Sequence, residues 1–363
     1  MLKLSSTLES LPVYQPGRPI KEVACEQGFA PSEVATLASN ENPLGPSPLA
    51  IQAMREAVAT VNLYPDGNAF YLKRRLGEAL DVAPSNIILG NGSNELIEFV
   101  GHALLGPGTK VVVSQYCFAI YPIVAKLFGA DVVTVPAVDY GSDVAAMAKA
   151  VNEETRILFV ANPNNPTGTL VPEEAILKLI ETVPGHVLVV IDEAYIEYLD
   201  NPLDLLPRIR KGKPQNLLLM RTFSKIHGLA GLRLGYGLGC DTIVGALEKI
   251  RQPFNTNSIA QAAALAALDD VAHVEESRRH NRQGIEMFES FCRERGWLYV
   301  PSFANFVLIQ VGDGSAVCQS LLKQGIIARP MDGYGLNEWL RISIGTAKEN
   351  QRCLEALVDV TVS

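Results

Sequence analysis

Short apolar runs recur along the chain, separated by stretches with a helical spacing of apolar positions. From residue 85 onward the runs are Ile87–Leu89, Lys110–Val113, Val132–Val135, Ile157–Val160, Val187–Ile191, Leu217–Met220 and Leu234–Leu238. Several, such as VLVVI, do not alternate apolar with polar residues, so a strand built from them must be buried on both faces. Between many of them lie segments of helical character, among them NELIEFVGHALL, PEEAILKLIETV and DTIVGALEKIRQ. Strands alternating with helices predict an α/β fold whose mainly parallel sheet carries helices on both faces.

The last third has a different rhythm. A helical stretch from about Ser258 to Arg295 is followed by FVLIQV, a helix-like SAVCQSLLKQG, IIARPM and WLRISIG. Short strands with flanking helices predict a smaller α+β domain over residues 256–363, after a large domain over 41–255. Residues 1–40 have few sheet signals and lead into the turn-rich NENPLGPSP. They are expected to form an arm against the small domain or a partner subunit.

Composition narrows the function. The chain has 363 residues, 48% of them hydrophobic and 19% charged, with a formal net charge of −8. An acidic chain without a basic block is a poor match for nucleic acid. The opening MLKLSSTLESLPVYQPG lacks the apolar core and cleavage site of a signal peptide, and no apolar run is long enough to span a bilayer. Six scattered cysteines form no C-x-x-C pair, which fits thiols in a reducing compartment. The five histidines show no metal-ligand spacing, and neither G-x-G-x-x-G nor G-x-x-x-x-G-K-[ST] occurs, so no metal and no nucleotide fingerprint is expected. These features predict a cytoplasmic enzyme or binding protein.

Candidate chemistry lies just after the apolar runs, where parallel sheets open their ligand crevice. In RTFSKIHGLAGLRLGY, Lys225 follows Thr222 and Ser224 and precedes Arg233. A lysine can hold an aldehyde covalently, and the two hydroxyls and the guanidinium can hold a phosphate monoester. The competing reading is a solvated loop lysine. Asp192 ends VLVVID, where a poorly solvated carboxylate needs a cation such as a protonated pyridine nitrogen, or else caps the next helix. Tyr195 and Asn165, the latter in ANPNNPTGT, can reach a phenolic oxygen on the same ring; the plainer reading of that stretch is a turn. GNGSNE opens a helix with Ser93 or Asn94 as candidate cap, an anion site against which Glu95 would compete unless it points away. Phe118 can stack on a flat ring or pack in the core.

Taken in order, GNGSNE, ANPNNPTG, VVIDEAY, RTFSKIHGLAGLRLGY and LRISIG resemble the fold-type I pyridoxal-phosphate aminotransferases, most closely the histidinol-phosphate aminotransferase family. The resemblance runs from LASNENPLGPSP to GLNEWLRISIG, nearly the whole chain. It implies a large domain with a mixed, mostly parallel seven-stranded sheet and pyridoxal 5′-phosphate as cofactor. It implies that Lys225 is the Schiff-base lysine, that Asp192 faces the pyridinium nitrogen, and that Tyr195 and Asn165 face the ring oxygen. Thr222, Ser224, Arg233 and the amides at Ser93 and Asn94 then match the phosphate cradle, and Phe118 the stacking aromatic. Tyr64 matches a tyrosine that reaches the neighbouring subunit's cofactor, which implies a homodimer with shared active sites. Arg341 and Arg329 match arginines that bind substrate. The implied reaction is transamination of L-histidinol phosphate with 2-oxoglutarate. An aromatic amino-acid aminotransferase, or a decarboxylase such as one acting on threonine phosphate, would share the cofactor residues. A non-catalytic regulator would need a DNA-binding module for which this acidic chain has no spare segment.

Overall fold

A computed structural model describes Thr7, Leu11 and residues 17–361. The stretch expected not to be a leader, and most of the first sixteen residues of the 1–40 arm, therefore lie outside the described residues. After β1 (Ala35–Thr36) the chain builds one seven-stranded sheet from β2 (Ile87–Gly90), β3 (Lys110–Ser114), β4 (Asp131–Val135), β5 (Thr155–Ala161), β6 (Leu188–Asp192), β7 (Leu217–Thr222) and β8 (Gly235–Gly239). The order across the sheet is β2-β8-β7-β6-β5-β3-β4. Only β8 runs against its neighbours β2 and β7, so the sheet is mixed and mostly parallel, as expected.

The unbroken apolar runs follow from two-sided burial. In β6, Val189 and Ile191 enter the core on one face of the sheet, while Leu188 and Val190 enter the core on the other. Each such side chain contributes about 1.5–3 kcal/mol when fully buried. Helices including Ser93–Leu104 and Ile120–Leu127 cover one face. Pro48–Ala57, Glu173–Thr182 and Ser258–Asp269 are among those on the other.

Beyond residue 255 the expected single helical stretch is two helices, Ser258–Asp269 and Val271–Arg295. Asp270 leaves helical geometry (φ −95°, ψ 65°), and its carboxylate accepts from the His273 N–H at 3.3 Å to start the second helix. Then β9 (Tyr299–Val300), β10 (Phe306–Gln310), β12 (Arg329–Met331) and β13 (Leu336–Ser343) make an antiparallel sheet in the order β12-β13-β10-β9. The run IIARPM, one apolar segment in the sequence, serves two sheets: β11 (Ile326–Ile327) pairs in parallel with β1, and β12 pairs with β13.

This topology positions the site. Strands β2, β3, β5, β6 and β7 share one direction, so Gly90, Ser114, Ala161, Asp192 and Thr222 end at one edge of the large sheet. Strand β8 begins at that edge, two residues after Arg233. Among the described residues no helix is long and apolar enough to cross a membrane.

Candidate active site

A cavity of about 650 Å³ opens at the carboxyl edge of the large sheet. It collects Ser93, Asn94, Phe118, Asn165, Asp192, Tyr195, Thr222, Ser224, Lys225 and Arg233 from that sheet's loops. Arg329 and Arg341 enter from β12 and β13, where they face each other in register. Of the candidate residues, only Tyr64 lies outside it. Tyr64 is 83% exposed and stacks on Phe254, with ring centroids 4.7 Å apart.

Lys225 sits three residues past the end of β7. Its Nζ donates to the carbonyls of Ser39 and Asn40, both at 3.2 Å, and lies 5.6 Å from the Tyr195 ring centre. Burial lowers its pKa to about 8, helped by the positive charges of Arg341 and Arg233 and opposed by Glu41 and Asp192. A solvated loop lysine would have no such surroundings.

Asp192 is 6% exposed. Burial raises its carboxyl to about 6, against the stabilising hydrogen bonds from the Tyr121 hydroxyl to Oδ2 (2.6 Å) and from the Ala194 N–H to Oδ1 (3.1 Å). The cap reading holds only as that local bond, because a single 3-10 turn, Ile196–Tyr198, follows. Tyr195 is pushed up to about 12, chiefly by burial, so its hydroxyl stays a neutral donor.

At the neighbouring strand ends Thr222, Ser224 and Arg233 form one polar cluster. The Thr222 hydroxyl accepts from the Ser224 N–H at 3.1 Å, and Arg233 Nη1 reaches Ser224 Oγ at 3.4 Å. The helix Ser93–Leu104 points its N-terminus here. Its cap is Gly92 rather than Ser93 or Asn94, because the chain turns at φ 79°, ψ 163°, a conformation open to glycine. A Cβ on Gly92 would stand 2.4 Å from Arg233 Nη2, and one on Gly235 would stand 2.5 Å from the Ser93 nitrogen. Glu95 does not compete for an anion: its Oε2 accepts from Asn91 N–H and Asn255 Nδ2, both at 2.6 Å. Asn165 accepts from Arg341 Nη1 through its oxygen at 2.6 Å, and Arg341 Nη2 donates to the Ala38 carbonyl at 2.9 Å. Phe118 lines the cavity and meets Tyr121 edge-on.

The sequence matches the family Aminotransferase class I and II over residues 32–357. The chain belongs to this family. It is 48% identical to a histidinol-phosphate aminotransferase of Akkermansia muciniphila, over 96% of each chain. It is 46% identical to histidinol-phosphate aminotransferase 2 of Pseudomonas fluorescens, over 97% of this chain and 96% of that one. Among solved structures, the Sinorhizobium meliloti histidinol-phosphate aminotransferase in complex with pyridoxal-5′-phosphate superposes with a TM-score of 0.89. That pair is 30% identical, covering 100% of this chain and 98% of that one.

Several lining residues of this aminotransferase had no signal of their own in the sequence reading. Asn40 reaches the cavity from the segment after β1, Tyr121 from the helix after β3, and Asp332 and Tyr334 from the turn between β12 and β13. Asn40 lies within LASNENPLGPSP and adopts the αL backbone (φ 55°) that asparagine tolerates. Among the described residues no cluster of three His, Cys, Asp or Glu side chains could hold a metal ion.

Proposed function

We propose that this aminotransferase uses pyridoxal 5′-phosphate to transaminate L-histidinol phosphate with 2-oxoglutarate. The observation that carries the proposal is the convergence, in one cavity, of the Lys225 amine, the Asp192 carboxylate, a hydroxyl–guanidinium–helix cluster and a facing pair of arginines. The residues present fit the cofactor. The missing Cβ atoms at Gly92 and Gly235 leave a helix N-terminus open beside Arg233, Thr222 and Ser224, which suits a phosphate dianion. Asp192, buried at the cavity wall and hydrogen-bonded by the neutral donors Tyr121 and Ala194, suits a protonated ring nitrogen. The naming of relatives at 46–48% identity supports the substrate.

When bound, the cofactor supplies an electron-accepting ring conjugated to the substrate's α-carbon. The chain's residues do the rest. Lys225 Nζ, with its pKa lowered to about 8, is deprotonated in a useful fraction near neutral pH and takes the proton from the α-carbon. Asp192, kept ionised with the help of Tyr121, would keep the cofactor's ring nitrogen protonated. Tyr195 and the amide nitrogen of Asn165, whose oxygen is held by Arg341, would hold the cofactor's phenolic oxygen. Arg341 takes a carboxylate, and Arg341 or Arg329 takes the substrate phosphate, so one cavity accepts two unlike anions. An anion on Arg341 offsets one of the charges that hold Lys225's pKa down, which ties substrate binding at that arginine to the lysine's basicity.

The same reading includes a homodimer in the cytoplasm. Tyr64, Leu63, Val61, Phe70 and Tyr71 are all exposed on one stretch of chain, an apolar patch that a second copy would cover while Tyr64 reaches its cofactor. It also keeps an arm, a large domain and a small domain, but the helix Ser258–Asp269 packs into the core of the large sheet, so the boundary expected at 255/256 moves to about Asp270.

The test is an absorbance titration of the cofactor-loaded protein without keto acid. Histidinol phosphate is expected to convert the cofactor band at far lower concentration than phenylalanine. The reverse order would make the protein an aromatic aminotransferase, and release of carbon dioxide would make it a decarboxylase.

A further inference from the structure

Asn40 is 1% exposed and sits where three parts of the site meet. Its backbone N–H donates to Ser343 Oγ at 2.8 Å, and Ser343 Oγ lies 2.9 Å from Asn40 Oδ1. The serine oxygen already accepts from the backbone, so its hydrogen goes to Oδ1. That fixes the amide: its nitrogen must be the end facing Tyr195, 3.0 Å from Oη. An NH₂ group only donates. Tyr195 Oη is therefore the acceptor of this bond, and its own hydrogen is directed elsewhere, into the cavity that Tyr195 lines. The Asn40 carbonyl accepts from Lys225 Nζ at 3.2 Å and from Asn305 Nδ2 at 2.9 Å. Ser343 lies two residues beyond Arg341 on β13, so Asn40 also ties the arginine's strand to Tyr195 and Lys225.

We propose that Asn40 is a positioning residue for transamination: its amide, oriented by Ser343, sets Tyr195 as a hydrogen-bond donor toward the cofactor's phenolic oxygen. The proposal rests on the function assigned above. Asparagine suits the place on two counts. It tolerates the αL backbone, and it offers opposed acceptor and donor ends to Ser343 and Tyr195. Aspartate would keep the shape but present an acceptor to Tyr195, and would draw the phenolic hydrogen away from the cavity.

The experiment is a pH titration of the cofactor's visible absorption band in the holoenzyme, run as a double-mutant cycle. A hydrogen bond into the phenolic oxygen withdraws charge from it and lowers the midpoint of the band. Tyr195→Phe in the wild-type background is expected to raise that midpoint by about one pH unit. In an Asn40→Asp background the same Tyr195→Phe change is expected to move it by less than about 0.3, because the donor is already lost. This comparison is insensitive to the new charge, which is present on both sides of the second step. Ser343→Ala, which frees the amide to rotate without adding charge, is the second background; there the Tyr195→Phe increment is expected to fall below its wild-type size. Equal increments in all backgrounds, or no increment in the wild type, would overturn the role of Asn40 and leave the transaminase reading standing. A wild-type protein that forms no lysine-dependent cofactor band would overturn both.

Discussion

The buried amine of Lys225 offers the sharpest quantitative check. A lysine at its ordinary pKa of 10.5 is about 0.1% neutral at pH 7.5, whereas one at about 8 is roughly a quarter neutral. The cavity therefore raises the nucleophilic fraction by a factor of about 200. The corresponding free energy is about 3 kcal/mol, an upper figure because the open cavity lets solvent screen the charge. After burial, the positive charge of Arg341 is the largest cause, so Arg341→Gln is expected to move the pKa upward, by about one unit for a nearby single charge. The assay is competitive acylation of the apoenzyme with a small neutral reagent from pH 6 to 11, with Lys225 located by peptide mass spectrometry. The wild-type rate is expected to level off through an inflection near 8, and the variant through a higher one. Stability follows with a defined sign. Between 8 and 10.5 the unfolded chain binds more protons than the folded one, so this group's penalty is full below pH 8 and is relieved as pH rises through that window. A wild-type inflection above pH 10 would refute the desolvated amine, and an unmoved inflection in Arg341→Gln would refute the role of the arginine.

Tyr121→Phe keeps the ring stacked on Phe159 but removes the 2.6 Å bond to Asp192. The apoenzyme is expected to lose about 1.5–3 kcal/mol at pH 8 and less at pH 5, since a folded pKa raised to about 6 leaves the carboxyl largely protonated there. Urea denaturation at the two pH values reads the difference, and equal losses would count against it. Glu193→Gln breaks the ion pair with Arg221, a 2.7 Å contact between side chains 3% and 10% exposed; a loss of about 3–5 kcal/mol is expected in the same assay, with much of it recovered in Glu193→Leu/Arg221→Met. Gly235→Ala puts a Cβ 2.5 Å from the Ser93 nitrogen and 2.9 Å from the Gly92 carbonyl carbon. Fluorescence titration of the apoenzyme with pyridoxal phosphate should show affinity at least about tenfold weaker, a cost of about 1.4 kcal/mol, and unchanged affinity would rule out the cradle.

What could be read from the sequence was what two-sided burial and strand ends dictate locally. VLVVID carries its own instructions: five residues too apolar to face water, then a carboxylate at the edge where parallel strands open. Lys225 and Arg233 are legible for the same reason, since both lie in the connection from the end of β7 to the start of β8 at that edge. The helix break at Asp270 was masked by the continuous Ala-, Glu- and Arg-rich composition on either side, which holds helical propensity high through a residue that leaves the helix. The groups that tune the site were illegible for a different reason. Tyr121 meets Asp192 across 71 positions, and Asn40 meets Ser343 across 303, through a crossover helix in one case and a second sheet in the other. No local period or motif links such pairs; topology alone brings them together. This separation has a functional consequence. The residues proposed to take up the cofactor lie mostly on loops at one sheet edge, whereas Arg341 and Ser343 lie on β13, and Asn40 is bonded to β13, Tyr195 and Lys225 at once. A displacement of β13 would therefore be felt at the tyrosine and the lysine through Asn40, alongside the bonds from Arg341 to Asn165 and Ala38 and from the Ser343 N–H to the Leu37 carbonyl.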